Sequence, residues 1–485
     1  MRIKHLKVSD FYILKDFEID FNNNLSVLIG ENGSGKSTIL ELIADIFGHL
    51  HKYFVLEDRT AAFVDNYEIV YDYTLYGIAH TIEIHSHKKN EKIVPQIWID
   101  GEDISVARIE KEYGGMSNLL PSKTILSYAG ISNHLKVLSE HFEEKYKKEI
   151  IKANNQYTLY PLHLPKERPF IYLKPEHLSM LVLSILLSYE EKDMNFVNEY
   201  LSIDKYACSI DLVFKKPSWA RTNKKEESKW WGISGNVASQ FFETMELFAD
   251  KVVTEDDILI YHFDGTINLE VAFSDLNTYQ KDIVFTILDT LLYDDLLSEI
   301  RISWDLGNGD EMDLNRLSEG QKQEVLALGI NFVLGKEEKN LLYLYDEPDV
   351  FLHPKWQQTF VDNIRNGLDE TSMAIITSHS PSIVSDLKDQ NLQLLRKGKV
   401  VTKSLKYHGK TVESILGDYF GLESTRSNDV ANQIASLWKQ IQNNEYKTEA
   451  FEKEMQELTS IIGVDDIEIM AMKRDILRKE HEKNN

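Results

Sequence analysis

The eight residues Gly30-Glu-Asn-Gly-Ser-Gly-Lys-Ser37 constrain this chain more than any other stretch. They follow the apolar run Leu25-Ser-Val-Leu-Ile29 and lead into a segment where Ile39, Leu40, Leu42, Ile43, Ile46 and Phe47 recur at helical spacing. Strand, glycine-rich turn and helix in that order make a cradle for phosphate. The glycines let the chain turn tightly, so that successive N–H groups converge at a helix N-terminus. Lys36 brings positive charge to the β- and γ-phosphates, and the Ser37 hydroxyl is a ligand for Mg²⁺. Asn32, Gly33, Ser34, Gly35 and Thr38 complete the expected ATP loop with Gly30. A chance lysine in a glycine turn would explain the letters but not their place between strand and helix.

Three further motifs follow in order. Leu317-Ser-Glu-Gly-Gln321 precedes a helical run. A serine and a glycine at a helix start present a hydroxyl and backbone amides to an anion, although Ser318 and Gln321 also fit an ordinary capping box. Leu341-Leu-Tyr-Leu-Tyr-Asp-Glu347 is an apolar strand ending in two acids. Downstream of a phosphate loop, Asp346 is the candidate to hold Mg²⁺, directly or through water, and Glu347 to polarise the attacking water. Ala374-Ile-Ile-Thr-Ser-His379-Ser-Pro381 is an apolar strand ending in a histidine, which alone would usually be structural.

The set and order of these motifs resemble the ABC ATPase superfamily, with Glu319 in place of the first glycine of the LSGGQ signature. The resemblance implies an α/β fold: a P-loop head with a β-rich subdomain, a helical insertion and a C-terminal helical tail. It implies that Ser318, Gly320 and Gln321 bind, in trans, the nucleotide held by a second copy, so that a homodimer or higher homo-oligomer is required. It also implies that His379 contacts the γ-phosphate and acts catalytically with Glu347.

The pair Asp346-Glu-Pro-Asp-Val-Phe-Leu-His-Pro354 and Thr377-Ser-His-Ser-Pro381 is similar to the overcoming-lysogenization-defect-like and RecF-like ATPases, which act on DNA or in phage defence. Two departures stand out. His353 occupies the place of a D-loop aspartate, and the loop at 127–133 (Ser-Tyr-Ala-Gly-Ile-Ser-Asn) has no glutamine; Gln96 lies in a strand-like segment. The overcoming-lysogenization-defect nucleases continue into a TOPRIM domain. About a hundred residues after His379 are too few for one beside a helical tail, and Asp465-Asp466 lacks the expected strand–Glu partner, so no nuclease of its own is expected. The resemblance then points to stand-alone ATPases of two-gene antiphage systems of the Septu type, whose partner is an HNH nuclease. The ATPase of the PARIS system, with a TOPRIM partner, is the rival. DNA would be reached through the complex. A RecF-like repair ATPase that clamps DNA itself and an ATP-dependent scaffold with little hydrolysis remain the alternatives.

Bulk properties bound these readings. The 485 residues carry 54 Lys+Arg against 78 Asp+Glu, a net charge of −24, so the global field does not favour nucleic acid. The longest apolar run, at 178–187, is too short to span a bilayer, and the start lacks a signal-peptide pattern; a cytoplasmic protein without a membrane partner is expected. The single Cys208 excludes an internal disulfide framework and reads as a small buried hydrophobe. Along the chain the texture divides into an ATPase lobe at 1–131, a mainly helical insertion at 132–312, a second ATPase lobe at 313–411 and a helical tail at 412–485 for assembly or partner docking. Of two basic stretches, one mixing Lys215, Trp219, Lys224, Lys225 and Trp231 has the chemistry of backbone binding but reads first as a solvated loop with its aromatics packed inward, and the other, from Lys397 to Lys410, fits a charged sheet edge at least as well as a binding surface.

Overall fold

The computed structural model describes residues 1–58, 64, 66–89, 92–130, 133–153, 168–218, 220, 229–232, 237–276, 280–307, 309–335, 338–387, 392–401, 407–422 and 424–484. Contacts divide them into two compact units, Met1–Lys410 and Thr411–Asn485.

The site is organised by a seven-stranded sheet. Its strands are β3 (Leu25–Gly30), β8 (Thr124–Tyr128), β9 (Phe170–Tyr172), β15 (Leu342–Asp346), β16 (Met373–Thr377), β17 (Leu392–Arg396) and β18 (Lys399–Val400), in the order β18-β17-β3-β16-β15-β8-β9. All neighbours run parallel except β17 and β18. Every residue of β3, β15 and β16 is buried, the signature of strands covered on both faces, which explains their near-continuous apolar runs. Register pairs Tyr128 with Asp346 and Asp346 with Thr377. The carboxyl ends of β3, β8, β15 and β16 therefore meet at one edge, where open parallel sheets bind ligands.

A second, antiparallel sheet comprises β1 (Arg2–Phe11), β2 (Leu14–Asp20), β4 (Tyr67–Leu75), β5 (Ile78–Lys89), β6 (Lys92–Ile99) and β7 (Glu102–Asp103), ordered β2-β1-β4-β5-β6-β7. Alternate residues such as Leu6, Val8, Ile69, Tyr71, Ile82 and Ile84 are fully buried. They share one core with Ile39, Leu40, Ile43 and Phe47 of the helix Lys36–Phe54 and with Leu344 and Ile375 of the central sheet. That core fixes the phosphate-loop helix between the two sheets.

The segment 132–312 departs from the mainly helical expectation. It contains helices, but also an antiparallel sheet of β10 (Cys208–Lys215), β11 (Lys251–Glu255), β12 (Ile258–Asp264), β13 (Leu297–Asp305) and β14 (Glu311–Asp313), ordered β11-β12-β10-β13-β14. Its helices Val237–Phe248 and Lys281–Tyr293 are each followed within a few residues by a strand. Beyond them the buried residues alternate, as in Ile300, Ile302 and Trp304 against Cys208, Ile210 and Leu212, and period two selects a strand. Within the same segment a buried charge network joins three helices. Arg168 donates to Asp289 at 2.5 Å, His177 Nε2 lies 3.2 Å from the same carboxylate, and Lys174 donates to Glu143 at 2.6 Å. Cys208 is buried, and burial pushes its thiol up to about 11, as suits a small hydrophobe.

The second unit holds the helices Val412–Phe420, Asn428–Gln442, Glu449–Ile462 and Ile467–Asn484. Leu437, Ile441, Phe451 and Leu458 bury against one another and Ile469 and Met472, with Ile434 packed alongside. These residues recur at roughly helical spacing among charged ones, and the apolar face they form is taken up by the unit's own core. No described helix is long and apolar enough to cross a membrane.

Candidate active site

The phosphate loop connects β3 to the helix Lys36–Phe54, and two glycines are dictated by its path. Gly30 (φ 153°) passes so close to β17 that an added Cβ would lie 2.3 Å from the Leu395 carbonyl oxygen. Gly35 caps the helix at φ 104°, in the region that favours glycine. Lys36 is buried, and its ammonium donates to the carbonyls of Gly30 (3.1 Å) and Glu31 (3.3 Å). Burial lowers its pKa, opposed by Glu347 and Asp346. Among the described residues, the buried Ser34 hydroxyl has no hydrogen-bond partner, an unmet polar group inside the loop. Asn32 and Gly33 are exposed, and Ser37 and Thr38 half-buried.

Asp346, fully buried at the end of β15, is the hub. The Ser37 hydroxyl donates to its Oδ1 at 2.9 Å, and the Thr377 hydroxyl at the end of β16 donates to the same oxygen. Oxygens around an octahedral Mg²⁺ sit at about 2.9 Å from one another, so the Ser37–Asp346 pair and the unpartnered Ser34 hydroxyl fit Mg-ATP. Glu347 follows with φ 51°, left-handed backbone that a non-glycine residue adopts only when its surroundings impose it. Its N–H donates to Thr377 Oγ1 at 2.9 Å, which fixes the turn. The Glu347 carboxylate lies 3.3 Å from His379 Nε2. Burial raises the Glu347 pKa, reinforced by Asp346 and opposed by Lys36. Burial lowers that of His379, with Lys36 adding to it.

The signature element stands apart. Ser318 caps the helix Glu319–Leu334, accepting from Gln321 N–H, while the Gln321 side chain accepts from Ser318 N–H and from its hydroxyl. This is the capping box. Gly320 is buried against the segment after Glu347, where an added Cβ would lie 2.5 Å from the Phe351 carbonyl oxygen. Among the described residues, no hydrogen bond or ion pair joins Ser318, Gly320 or Gln321 to the phosphate loop or to Asp346.

Two residues near the hub were not singled out from sequence. His134, the first residue of the helix His134–Ala153, places Nε2 at 3.2 Å from Asp346 Oδ2. The hydrogen bond to Asp346 raises its pKa. Asp349 is buried and accepts from Ser378 at 2.8 Å, tying the strand that carries His379 to the segment after Glu347. Burial pushes its carboxyl up to about 6. The Asp-Glu-Pro-Asp sequence held the signal for Asp349, whereas a lone histidine after a loop has none. Of the basic stretches, Lys215 and Lys216 are engaged by Asp295 and Asp257, and Trp231 is half-buried; Trp219, Lys224, Lys225, Lys403 and Lys406 lie outside the described residues.

A phosphate cradle, a metal carboxylate at the end of a buried parallel strand, and a carboxylate–histidine pair beside it define a P-loop ATPase head of the α/β class. The chain belongs to the AAA ATPase domain family, whose model (AAA_15) matches residues 1–384. Among proteins it resembles, the Retron Vc95 probable ATPase of Vibrio cholerae serotype O1 biovar El Tor is 22% identical over 81% of this chain and 73% of that protein. The Septu protein PtuA of Bacillus thuringiensis is 34% identical over 23% of this chain and 31% of its own length. The SMC head domain from Thermotoga maritima superposes with a TM-score of 0.34 at 14% identity, over 84% of this chain and all of that one. The chain is thus an ATPase of a family that includes defence-associated members.

Proposed function

We propose that this protein is the ATP-binding and ATP-hydrolysing subunit of a bacterial antiphage complex, working as a homodimer or larger assembly that controls a partner nuclease. The observation that carries the ATPase reading is the convergence of Ser37, Thr377 and His134 on Asp346, with Glu347 and His379 paired alongside. Mg²⁺, held by Ser37 and Asp346, would supply charge to the phosphates and fix their orientation. Glu347, with a pKa raised by burial, accepts the proton of the attacking water. His379, whose Nε2 lies 3.3 Å from the Glu347 carboxylate, orients that carboxylate at rest and turns the same N–H to the transferred phosphoryl group when nucleotide is bound.

The composite arrangement is supported by the signature element, where among the described residues the Ser318 and Gln321 side chains bond to each other's residue in their own cap and Ser318 is exposed. Similarity to the retron ATPase and to PtuA supports the defence role, and the partner nuclease of HNH type follows from the Septu likeness, with a TOPRIM protein as the second candidate. DNA is then engaged through the complex rather than by this acidic chain. The self-contained second unit, Thr411–Asn485, is the proposed site of assembly or partner docking. Co-expression with the neighbouring gene product, followed by pull-down and nuclease assay with and without ATP, tests the reading. Co-purification and ATP-dependent cleavage are expected. A protein that binds no partner but binds DNA with steep salt dependence would overturn it in favour of a DNA clamp.

A further inference from the structure

Strand β8 flanks β15 on the edge opposite β16, and the helix His134–Ala153 begins a few residues beyond it. Because β8 pairs with β15 in parallel, with Tyr128 beside Asp346, the chain leaving β8 must come past the metal carboxylate. Ala129 N–H donates to the backbone carbonyl of Asp346 at 3.3 Å. Tyr128 then folds back over Gly130, where an added Cβ would lie 2.1 Å from its hydroxyl oxygen. The Tyr128 ring meets the His134 ring edge-on, with centroids 5.0 Å apart. The imidazole is thereby held in one orientation with Nε2 on Asp346 Oδ2, the oxygen that Ser37 and Thr377 leave free. Glu41, one helical turn beyond Ser37, also faces His134 electrostatically.

We propose that His134 is a positioning residue for the Mg²⁺ that Ser37 and Asp346 would hold: it fixes the Asp346 carboxylate and, with it, the water around the ion. The proposal rests on the ATP-site reading above. Partners of metal-ligating side chains typically change metal affinity by roughly 10–100-fold when removed. A fluorescent ATP analogue titrated against the full chain at graded Mg²⁺ concentrations tests it. His134→Ala is expected to raise the Mg²⁺ concentration for half-maximal nucleotide binding by roughly 10-fold or more, with nucleotide binding in EDTA unchanged. His134→Gln, which keeps a polar group of similar reach, is expected to restore most of the loss, and Asn133→Ala to behave as wild type. If the Ala variant is unstable on heating, His134→Leu against His134→Gln gives the same contrast. A wild-type Mg²⁺ requirement in His134→Ala or His134→Leu, or an equal shift in Asn133→Ala, overturns the inference alone. Failure of the wild type to bind nucleotide in an Mg²⁺-dependent way overturns the ATP-site reading and this inference with it.

Discussion

The hub around Asp346 and the corner around Ser318 solve the problem of polar groups in opposite ways. At the hub, the side chains of Ser37 from a helix start and of Asp346 and Thr377 from two strand ends satisfy one another in a buried setting, and the Glu347 backbone is held in a left-handed conformation. At the signature corner, an exposed serine and a half-exposed glutamine close a capping box on themselves. A buried site can be completed by its own chain because folding desolvates it. An exposed anion-binding helix start, by contrast, gains full strength only when something else covers it. On the proposed composite arrangement, the protein would carry half of each active site in finished form and offer the other half outward.

The largest expected effect breaks the hub. Lys36→Ala should lower nucleotide affinity by roughly 100-fold or more, because it removes the one cation in the loop; equilibrium binding of a labelled ATP checks it. Next is Glu347→Gln. It should keep binding and cut turnover by roughly 100-fold or more, since the loss is confined to the group that accepts the water's proton. Equal turnover by wild type and Glu347→Gln would remove Glu347 from that role.

The signature corner is tested by mixing. Ser318→Arg leaves the phosphate loop of its own chain intact and should abolish turnover by blocking closure. Combined with Lys36→Ala, it forms a heterodimer in which one interface has both a sound loop and a sound signature. Partial recovery of ATPase activity in the mixture, about a quarter to a half of wild type, is expected for independent sites. No recovery despite demonstrated subunit exchange would show that the two corners do not complement each other one interface at a time.

The smallest effect concerns the helix behind the signature. Glu324 is buried with neither carboxylate oxygen hydrogen-bonded among the described residues, and burial with Glu199 pushes its pKa up to about 7. A raised carboxyl pKa means that the folded state binds the proton more tightly than the unfolded one. Its favourable contribution is therefore present below the unfolded value of about 4.5 and is lost as pH rises through about 7. Glu324→Gln should accordingly stabilise the protein by about 1–3 kcal/mol at pH 8, with the gain shrinking toward pH 5. Thermal unfolding across that range checks it, and a pH-independent difference would count against the buried carboxyl as the cause.

Local motifs were legible in the sequence because their physics is local. The strand, turn and helix around Lys36 require glycines at fixed spacing, a strand buried on both faces reads as an apolar run, and Ser318 with Gln321 makes a cap within four residues. The third sheet was not legible, since β11 and β13 follow helices within a few residues and only a partial two-residue alternation, as in β13, distinguishes a strand there. The sequence by itself therefore determined the phosphate loop, the acidic strand end and the histidine strand end as chemical parts. Tertiary structure decided that Ser37 meets a carboxylate 309 positions away and that His134 meets it from 212 away, through parallel strands aligned in register. Such pairing carries no local signature, because parallel strands are joined by long crossovers and any residue type can stand where two strand ends meet. The same holds for the tail, whose apolar periodicity was evident but whose burial partner was chosen by packing: its own helices.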